Sequence, residues 1–399
     1  MNGMEAGHSD IDVSIVIVNY RVKYFLEQTV RSAKEALAGF SGEIIVVDNN
    51  SGDDSIEHLR KCFPDVIVIE NRENAGFGRA NNQGFAIARG KFTLILNPDT
   101  IIGSHTLRDC MDFYDKHADD CGGIGVCMLD GNGRFLPESK RAFPTPWVSF
   151  CKIFGLSSLF PKSPLFAKYH LRYLPYDRPH RVDILSGAFI FIRTDLLRSI
   201  GGFDEDFFMY GEDIDLSYRV LKGGYHNYYL PVDILHYKGE STQKSSFRYV
   251  HVFYEAMLIF FRKHYSGMSF LLSLPIKTAI YGKALVALVG MLSDRMRKSL
   301  GFFSPSAEGC QHYVFVGSQK MLDACREISR RLAFDAEFYT EVEAVTWDAK
   351  KDNVLVLDAG QMSYAEMLQR LSLLSDSNVS LGTYSEENGK IITASEILG

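Results

Sequence analysis

Val13-Ser-Ile-Val-Ile-Val18 is a short, nearly continuous apolar run, the pattern of a strand covered on both faces. Phe25, Leu26, Val30, Ala33 and Leu37 then recur at helical spacing, and Glu43–Asp48 is strand-like again. The alternation continues with a short helix over Ser55–Cys62, a strand over Val66–Ile69, a helix over Gly78–Ala88 and a strand over Phe92–Leu96. Strands and helices alternating at this pace predict an α/β fold, a parallel sheet with helices on both faces. Ligands of such sheets bind at the carboxyl ends of the strands. The residues just after each strand are therefore the ones to read.

Four successive strand ends carry polar groups: Asn19-Tyr20-Arg21, Asp48-Asn49-Asn50-Ser51-Gly52-Asp53-Asp54, the stretch Asn71–Asn82, and Asn97-Pro98-Asp99. Asn, Asp and Gly are ordinary turn residues, so one such stretch alone would be a loop. Four at one edge of one sheet point to a site. Asp48 suits hydrogen bonds from a base or sugar. Asn74-Ala-Gly76-Phe77-Gly-Arg79 runs into a helix, where backbone N–H groups and Arg79 meet a phosphate well. Asp99, at a rigid turn, suits a hard divalent ion held against a diphosphate. No G-x-G-x-x-G follows the first strand and no G-x-x-x-x-G-K-[ST] occurs, which disfavours a Rossmann dehydrogenase or a P-loop enzyme.

Residues 141–181 change character, with six prolines, clustered aromatics and many Lys, Arg and His; they read as a lid or acceptor-side loop. Val182–Arg193 returns to strand, with Ser186-Gly187 admitting close approach of backbone or ligand. Phe203–Arg219 follows, in which Asp204, Glu205, Asp206, Glu212, Asp213 and Asp215 surround an aromatic wedge. Ile214, Tyr218 and Leu221 predict a helix starting near Glu212 and ending before Gly223. Acids in a first helical turn complement the helix dipole. A second acidic cluster seven residues earlier, with aromatics between, points instead to a carboxylate shielded from water and poised as a proton acceptor. A last strand over Tyr228–Leu235 ends in His236, a candidate second metal ligand beside Asp99.

Residues 251–301 hold apolar helical patterns edged by Arg262, Lys263, Lys277, Lys283, Arg295, Arg297 and Lys298. Pro275 and the two interior lysines interrupt the run, so a surface-lying helix fits better than a spanning one, giving peripheral membrane contact through 262–298. Residues 302–399 form another small α/β pattern, with strands at Tyr313–Val316 and Val354–Leu357 and helices over Lys320–Leu332 and near Tyr364–Leu374. One glycine follows its first strand where a dinucleotide fingerprint has three, so a docking or regulatory module is expected. Charge separates the two parts. The net is −6, but residues 302–399 carry 8 Lys/Arg against 15 Asp/Glu, leaving about +1 for the rest; nothing suggests nucleic acid. Seven scattered cysteines without C-x-x-C, and a polar start without an apolar signal core, fit a reducing, cytoplasmic setting.

In order along the chain, Asn19-Tyr20, Val-Asp48-Asn-Asn-Ser, Asn74-x-Gly-Phe-Gly-x-x-x-Asn82, Leu-Asn97-Pro-Asp99, Ser-Gly187-Ala and Tyr210-Gly-Glu-Asp-Ile-Asp-Leu resemble the family 2 glycosyltransferases, most closely the rhamnosyltransferase-like branch, over about residues 11–265. The resemblance implies a GT-A fold, a mixed, mainly parallel sheet with flanking helices, over 1–250; the basic segment 251–301 and the small acidic α/β unit 302–399 are read from the patterns above, the last hundred residues lying outside the resemblance. It implies inverting transfer of a sugar, rhamnose among the candidates, from a nucleoside-diphosphate donor with Mg²⁺ or Mn²⁺. The acceptor would be a saccharide or lipid-linked saccharide at the inner face of the cytoplasmic membrane, in cell-surface polysaccharide synthesis. Donor-binding residues would be Asn19, Tyr20, Asp48, Asn49, Asn74, Gly76, Phe77, Arg79, Asn82 and Asn97. Asp213 would be the general base with Glu212 beside it, Gly187 and Tyr210 the acceptor side, and Asp99 and His236 the metal ligands. Asn97 stands where the simple metal motif has Asp. A sugar nucleotidyltransferase and a non-catalytic nucleotide-sugar-binding scaffold are the competing readings, and a homo-oligomer stays open.

Overall fold

A computed structural model describes residues 11–237, 247–264, 311–345, 347, 351–374 and 378–399. The first sheet is built from β1 (Val13–Asn19), β2 (Gly42–Asp48), β3 (Ile67–Glu70), β4 (Phe92–Leu96), β5 (Thr100–Ile101), β6 (Cys121–Leu129), β7 (His180–Val182), β8 (Phe189–Arg193) and β9 (His226–His236). Their order is β3-β2-β1-β4-β8-β6-β9-β5, with β7 beside β9. β3, β2, β1 and β4 are parallel, β8 runs antiparallel between β4 and β6, and β6 pairs parallel with β9. This is a mixed, mainly parallel sheet. Helices flank it: α1 (Lys23–Ala36), α2 (Ser55–Cys62), α3 (Phe77–Ile87), α4 (Thr106–Lys116), α5 (Pro146–Ile153), α6 (Leu156–Leu159), α7 (Thr194–Ser199), α8 (Glu212–Lys222) and α9 (Phe247–His264).

The unbroken apolar runs have a simple cause. Val16, Val18, Ile45, Val47 and Ile95 feed the core on one face, while Val13, Ile15, Ile17, Ile44, Val46, Leu94 and Leu96 feed the core on the other. Alternate residues point to opposite faces, so covering both faces demands apolar residues throughout. Two expectations shift. Val182–Arg193 is two strands, β7 and β8, separated by the Asp183–Ala188 segment that faces the site. In α8 the buried stripe is Leu216 and Val220 with Ile214, one step round from the expected Ile214, Tyr218 and Leu221.

The second sheet has β10 (Gln311–Val316), β11 (Asp335–Tyr339), β12 (Asp352–Asp358), β13 (Val379–Ser385), β14 (Lys390–Thr393) and β15 (Ile397–Leu398), in the order β11-β10-β12-β13-β14-β15. Its core is continuous with that of the first: Leu355, Leu357, Tyr364 and Met367 belong to the same apolar cluster as Phe25 and Tyr237. Polar contacts join the two. Gln28 Nε2 donates to Thr383 Oγ1 at 2.5 Å, the Leu381 N–H to the Gly131 carbonyl at 2.7 Å, and Asn388 Nδ2 to Glu27 Oε2 at 2.8 Å. Among the described residues no helix is long and apolar enough to cross a membrane. From residue 265 on, the expected basic apolar segment lies outside the described residues.

Candidate active site

The carboxyl ends of β1, β2 and β4 meet the segment before β8 and the loop before α8. At the β1 and β2 ends, Asp48 Oδ1 accepts from Asn19 Nδ2 at 2.7 Å and from Ser51 Oγ at 2.5 Å, and its Oδ2 accepts from the Ser51 N–H at 3.0 Å. Asn19 Oδ1 is buried without a partner. Tyr20 lies beside its neighbour Arg21, whose guanidinium carbon is 5.2 Å from the ring centroid. Asn49 anchors the next loop, donating to Asn74 Oδ1 at 3.1 Å and the Gly76 carbonyl at 3.0 Å and accepting from the Ala75 N–H at 3.0 Å. Gly76 has φ +85°, and a Cβ there would sit 2.4 Å from the Phe208 carbonyl oxygen, which accepts from the Phe77 N–H at 2.9 Å. Only glycine fits both conditions.

Asp99 is 3 % exposed at the end of β4. Its Oδ1 lies 3.3 Å from His236 Nε2 yet has no hydrogen-bond partner. Asn97 Nδ2 is also 3.3 Å from that same nitrogen. With Asn97 donating, Nε2 acts as acceptor and faces the acceptor oxygen of Asp99. Two acceptors at this separation, one orphaned in the interior, fit a shared cation. Ligands at about 2.1 Å on adjacent octahedral positions would stand about 3 Å apart, and Mg²⁺-type sites often use only one or two protein ligands plus phosphate oxygens. The residues present fit a divalent ion. A different donor group, Glu27, His58 and Cys62, has its ligand atoms within 4.8 Å of one another. Glu27, however, already accepts from Arg31 and Asn388.

The chain then bends sharply. Tyr210 (φ +68°) and Gly211 (φ +87°) both adopt left-handed backbone immediately before α8. A non-glycine residue held there costs of order 1–3 kcal/mol, which the surroundings must enforce. The bend delivers Glu212 and Asp213 inward. Asp213 Oδ2 accepts from Arg141 Nη2 at 2.5 Å and from the Gly187 N–H at 3.2 Å. A Cβ on Gly187 would lie 3.5 Å from the Asp213 Cβ and 3.6 Å from the Phe77 ring, so Gly187 separates the two by one backbone thickness. The Asn97 N–H bonds the Ala188 carbonyl at 3.0 Å. Asn97, two residues before Asp99, and Asp213 thus bond two adjacent residues of a single loop.

Glu212 is 5 % exposed, with Oε2 unpartnered. Burial, reinforced by the Asp213 carboxylate, raises its carboxyl from 4.5 to about 8. Near neutral pH it keeps its proton. The folded state then binds more protons than the unfolded chain between the ordinary value and about 8, so stability falls as pH rises through that window. Glu212→Gln removes the effect. Its melting temperature should exceed wild type by about 5 °C or more at pH 8 and by far less at pH 5. Equal pH slopes in differential scanning fluorimetry would contradict the assignment.

Arg141 has no local signal that singles it out: it is one cation among several in the basic excursion, 72 positions from its partner. It is buried, donates also to the Leu185 carbonyl at 2.8 Å, and carries the only side chain found pairing with Asp213 among the described residues. Removing one partner of a buried pair strands the other. Arg141→Ala should cost about 3–5 kcal/mol in urea unfolding, and Arg141→Lys, lacking the fork, should recover only part of it.

Most of the other acids have a structural explanation, which corrects the reading of the stretch as one catalytic cluster. Lys263 of α9 pairs with Asp204 and Asp206 at 2.5 Å each. Asp215, 1 % exposed, is held by His264 Nε2 at 2.6 Å and Arg219 Nε at 2.7 Å. Glu205 takes Arg79 at 3.1 Å and Asn82 at 3.2 Å. Asn82 also exchanges hydrogen bonds with the Phe203 backbone. Arg79 and Asn82 therefore brace the acidic loop, whereas Phe77, Gly187 and Asp213 face one another. Tyr210 packs with Phe207, Ile214, Ala256 and Phe260 against α9.

Residues 14–197 match the model of Glycosyl transferase family 2. An N-acetylglucosaminyl-diphospho-decaprenol L-rhamnosyltransferase of Mycobacterium tuberculosis is 26 % identical over 237 residues, 56 % of this chain and 76 % of that protein. The low-salt glycan biosynthesis hexosyltransferase Agl10 of Haloferax volcanii is 25 % identical over 311 residues, 76 % of this chain and 91 % of its own length. A mannosyltransferase of Pyrobaculum calidifontis, solved with GDP-Man and Mn²⁺, aligns at 16 % identity and TM-score 0.44 over 75 % of this chain and 82 % of that one. Over residues 14–197, somewhat under half of its length, the chain is similar to glycosyltransferase family 2.

Proposed function

We propose that this glycosyltransferase moves a sugar, rhamnose or another hexose, from a nucleoside-diphosphate donor onto a hydroxyl of a lipid-linked saccharide, with inversion, during cell-surface glycan synthesis at the inner face of the cytoplasmic membrane. The observation that carries the reading is the orphaned Asp99 oxygen beside His236, on the turn whose Asn97 bonds Ala188, next to the Gly187 that bonds Asp213. Asp99 and His236 would hold Mg²⁺ or Mn²⁺, which when bound neutralises charge on the departing diphosphate. Asp48, Asn19 and the Asn74–Phe77 loop offer the nucleoside its hydrogen-bonding and stacking groups. Asp213, oriented by Arg141 and Gly187, takes the acceptor hydroxyl's proton as the anomeric bond forms. Glu212, protonated beside it, keeps a second negative charge out of that space. Attack from the face opposite the leaving diphosphate inverts the anomeric carbon.

The test is turnover of a panel of nucleotide sugars with and without divalent metal, with the product's anomeric configuration read by NMR. Release of nucleoside diphosphate with an inverted linkage is expected. Pyrophosphate release would instead make the chain a nucleotidyltransferase, and absence of donor binding in calorimetry would leave a scaffold.

A further inference from the structure

Twelve large apolar side chains are exposed among the described residues, and six of them fall between 147 and 165. Trp147 and Phe150 on α5, with Phe154 at its C-cap, follow i, i+3, i+7 spacing on the outer face, while Val148 and Cys151 fill the inner one. The outer rings form a continuous stripe, with centroids 5.7 Å apart for Trp147–Phe150 and 4.5 Å for Phe150–Phe154. Gly155, at φ +77°, turns the chain so that Leu159 and Phe160 extend the same apolar zone; they are 69 % and 47 % exposed. A contiguous patch of this kind on a soluble surface marks an interaction site. Its surroundings carry one sign of charge. Residues 142–176 contain Lys152, Lys162, Lys168 and Arg172 and no Asp or Glu, on a chain whose net charge is −6.

We infer that this face, the α5–α6 stripe, docks on an anionic lipid bilayer and seats the active site at the membrane. Aromatic and leucine side chains on one face with cations around them are what an interfacial segment requires. The patch is continuous with the acceptor side of the site. Thr145 caps α5, Pro144 lines a small apolar pocket with Tyr210, Gly211 and Ile214, and Arg141 reaches Asp213. An acceptor anchored in that bilayer would present its hydroxyl from the side on which the patch sits. Residues 265–310 are the obvious rival cover, being apolar in sequence, but their five cations against two acids give them the same sign as the patch. Like charge disfavours that pairing and suits both segments to one anionic surface.

The inference deepens the lipid-linked reading but is tested without donor. The full chain has two tryptophans, so Trp347→Phe leaves Trp147 as the sole reporter. On phosphatidylglycerol-containing vesicles its emission should shift to the blue, less so at high salt and hardly at all on phosphatidylcholine alone. Adding Phe154→Glu and Leu159→Glu should lower vesicle partitioning about tenfold or more, with far-UV circular dichroism unchanged. Vesicle binding with no Trp147 shift and no loss in the double variant would overturn the inference, placing attachment elsewhere. Emission already blue-shifted without vesicles and reversed by the double variant would overturn it too, in favour of cover by 265–310 or by a second copy, which sedimentation would separate.

Discussion

Asp213→Asn is expected to lower kcat about a thousandfold, within the range a positioned general base supplies, while donor affinity stays nearly unchanged. The substitution is chosen for its geometry. An asparagine oxygen can still accept from Arg141 and from the Gly187 N–H, which hold the present carboxylate at 2.5 and 3.2 Å. What is lost is the capacity to take a proton. Steady-state kinetics with varied acceptor, alongside calorimetry with donor alone, separates the two quantities. Turnover near the wild-type level would remove Asp213 from the role of base and turn attention to Glu212, the neighbour whose carboxyl is raised to about 8.

Asp99→Ala should act on the other half of the reaction. Its buried Oδ1 has no protein partner, so the folded protein without metal loses little by its removal and can even gain, since an unpaired buried polar atom is costly. Donor affinity in Mn²⁺ should fall at least about tenfold, as losing one of two protein ligands implies, and stimulation by metal should disappear. With chelator present, variant and wild type should bind donor alike. This combination of held stability and lost metal response marks a ligand rather than a packing residue. If metal stimulation survives the substitution, the ion sits elsewhere, and the Glu27–His58–Cys62 group becomes the place to look.

The carboxylates of the Phe203–Arg219 stretch show why one can be found by pattern and another cannot. On paper Asp204, Asp206, Asp215 and Asp213 are equivalent acids near aromatics. In the fold the first two serve Lys263, the third serves His264 and Arg219, and only Asp213 is turned toward Gly187. Apart from Arg219, one helical turn from Asp215, the charged partners lie 49 to 72 positions away, and no local spacing encodes them. β6 has no counterpart among the strands predicted from sequence. A Cβ at its Gly122 or Gly123 would meet Val220 Cγ1 at 2.2 Å or Leu185 Cδ1 at 2.8 Å. The glycines make room for neighbours brought in from far along the chain.

Local order was fixed by sequence alone. The apolar runs of β1, β2 and β4, the polar ends that follow them and the start of α8 at Glu212 depend on residues within a turn or a strand of one another, where backbone periodicity dictates the pattern. Tertiary structure alone decided which cation faces Asp213, which acids are braces, how the second sheet merges its core with the first through Tyr237 and Tyr364, and which aromatics remain outside. Each of those depends on which distant surfaces meet, and burial, charge pairing and exposure are properties of that meeting rather than of any single segment.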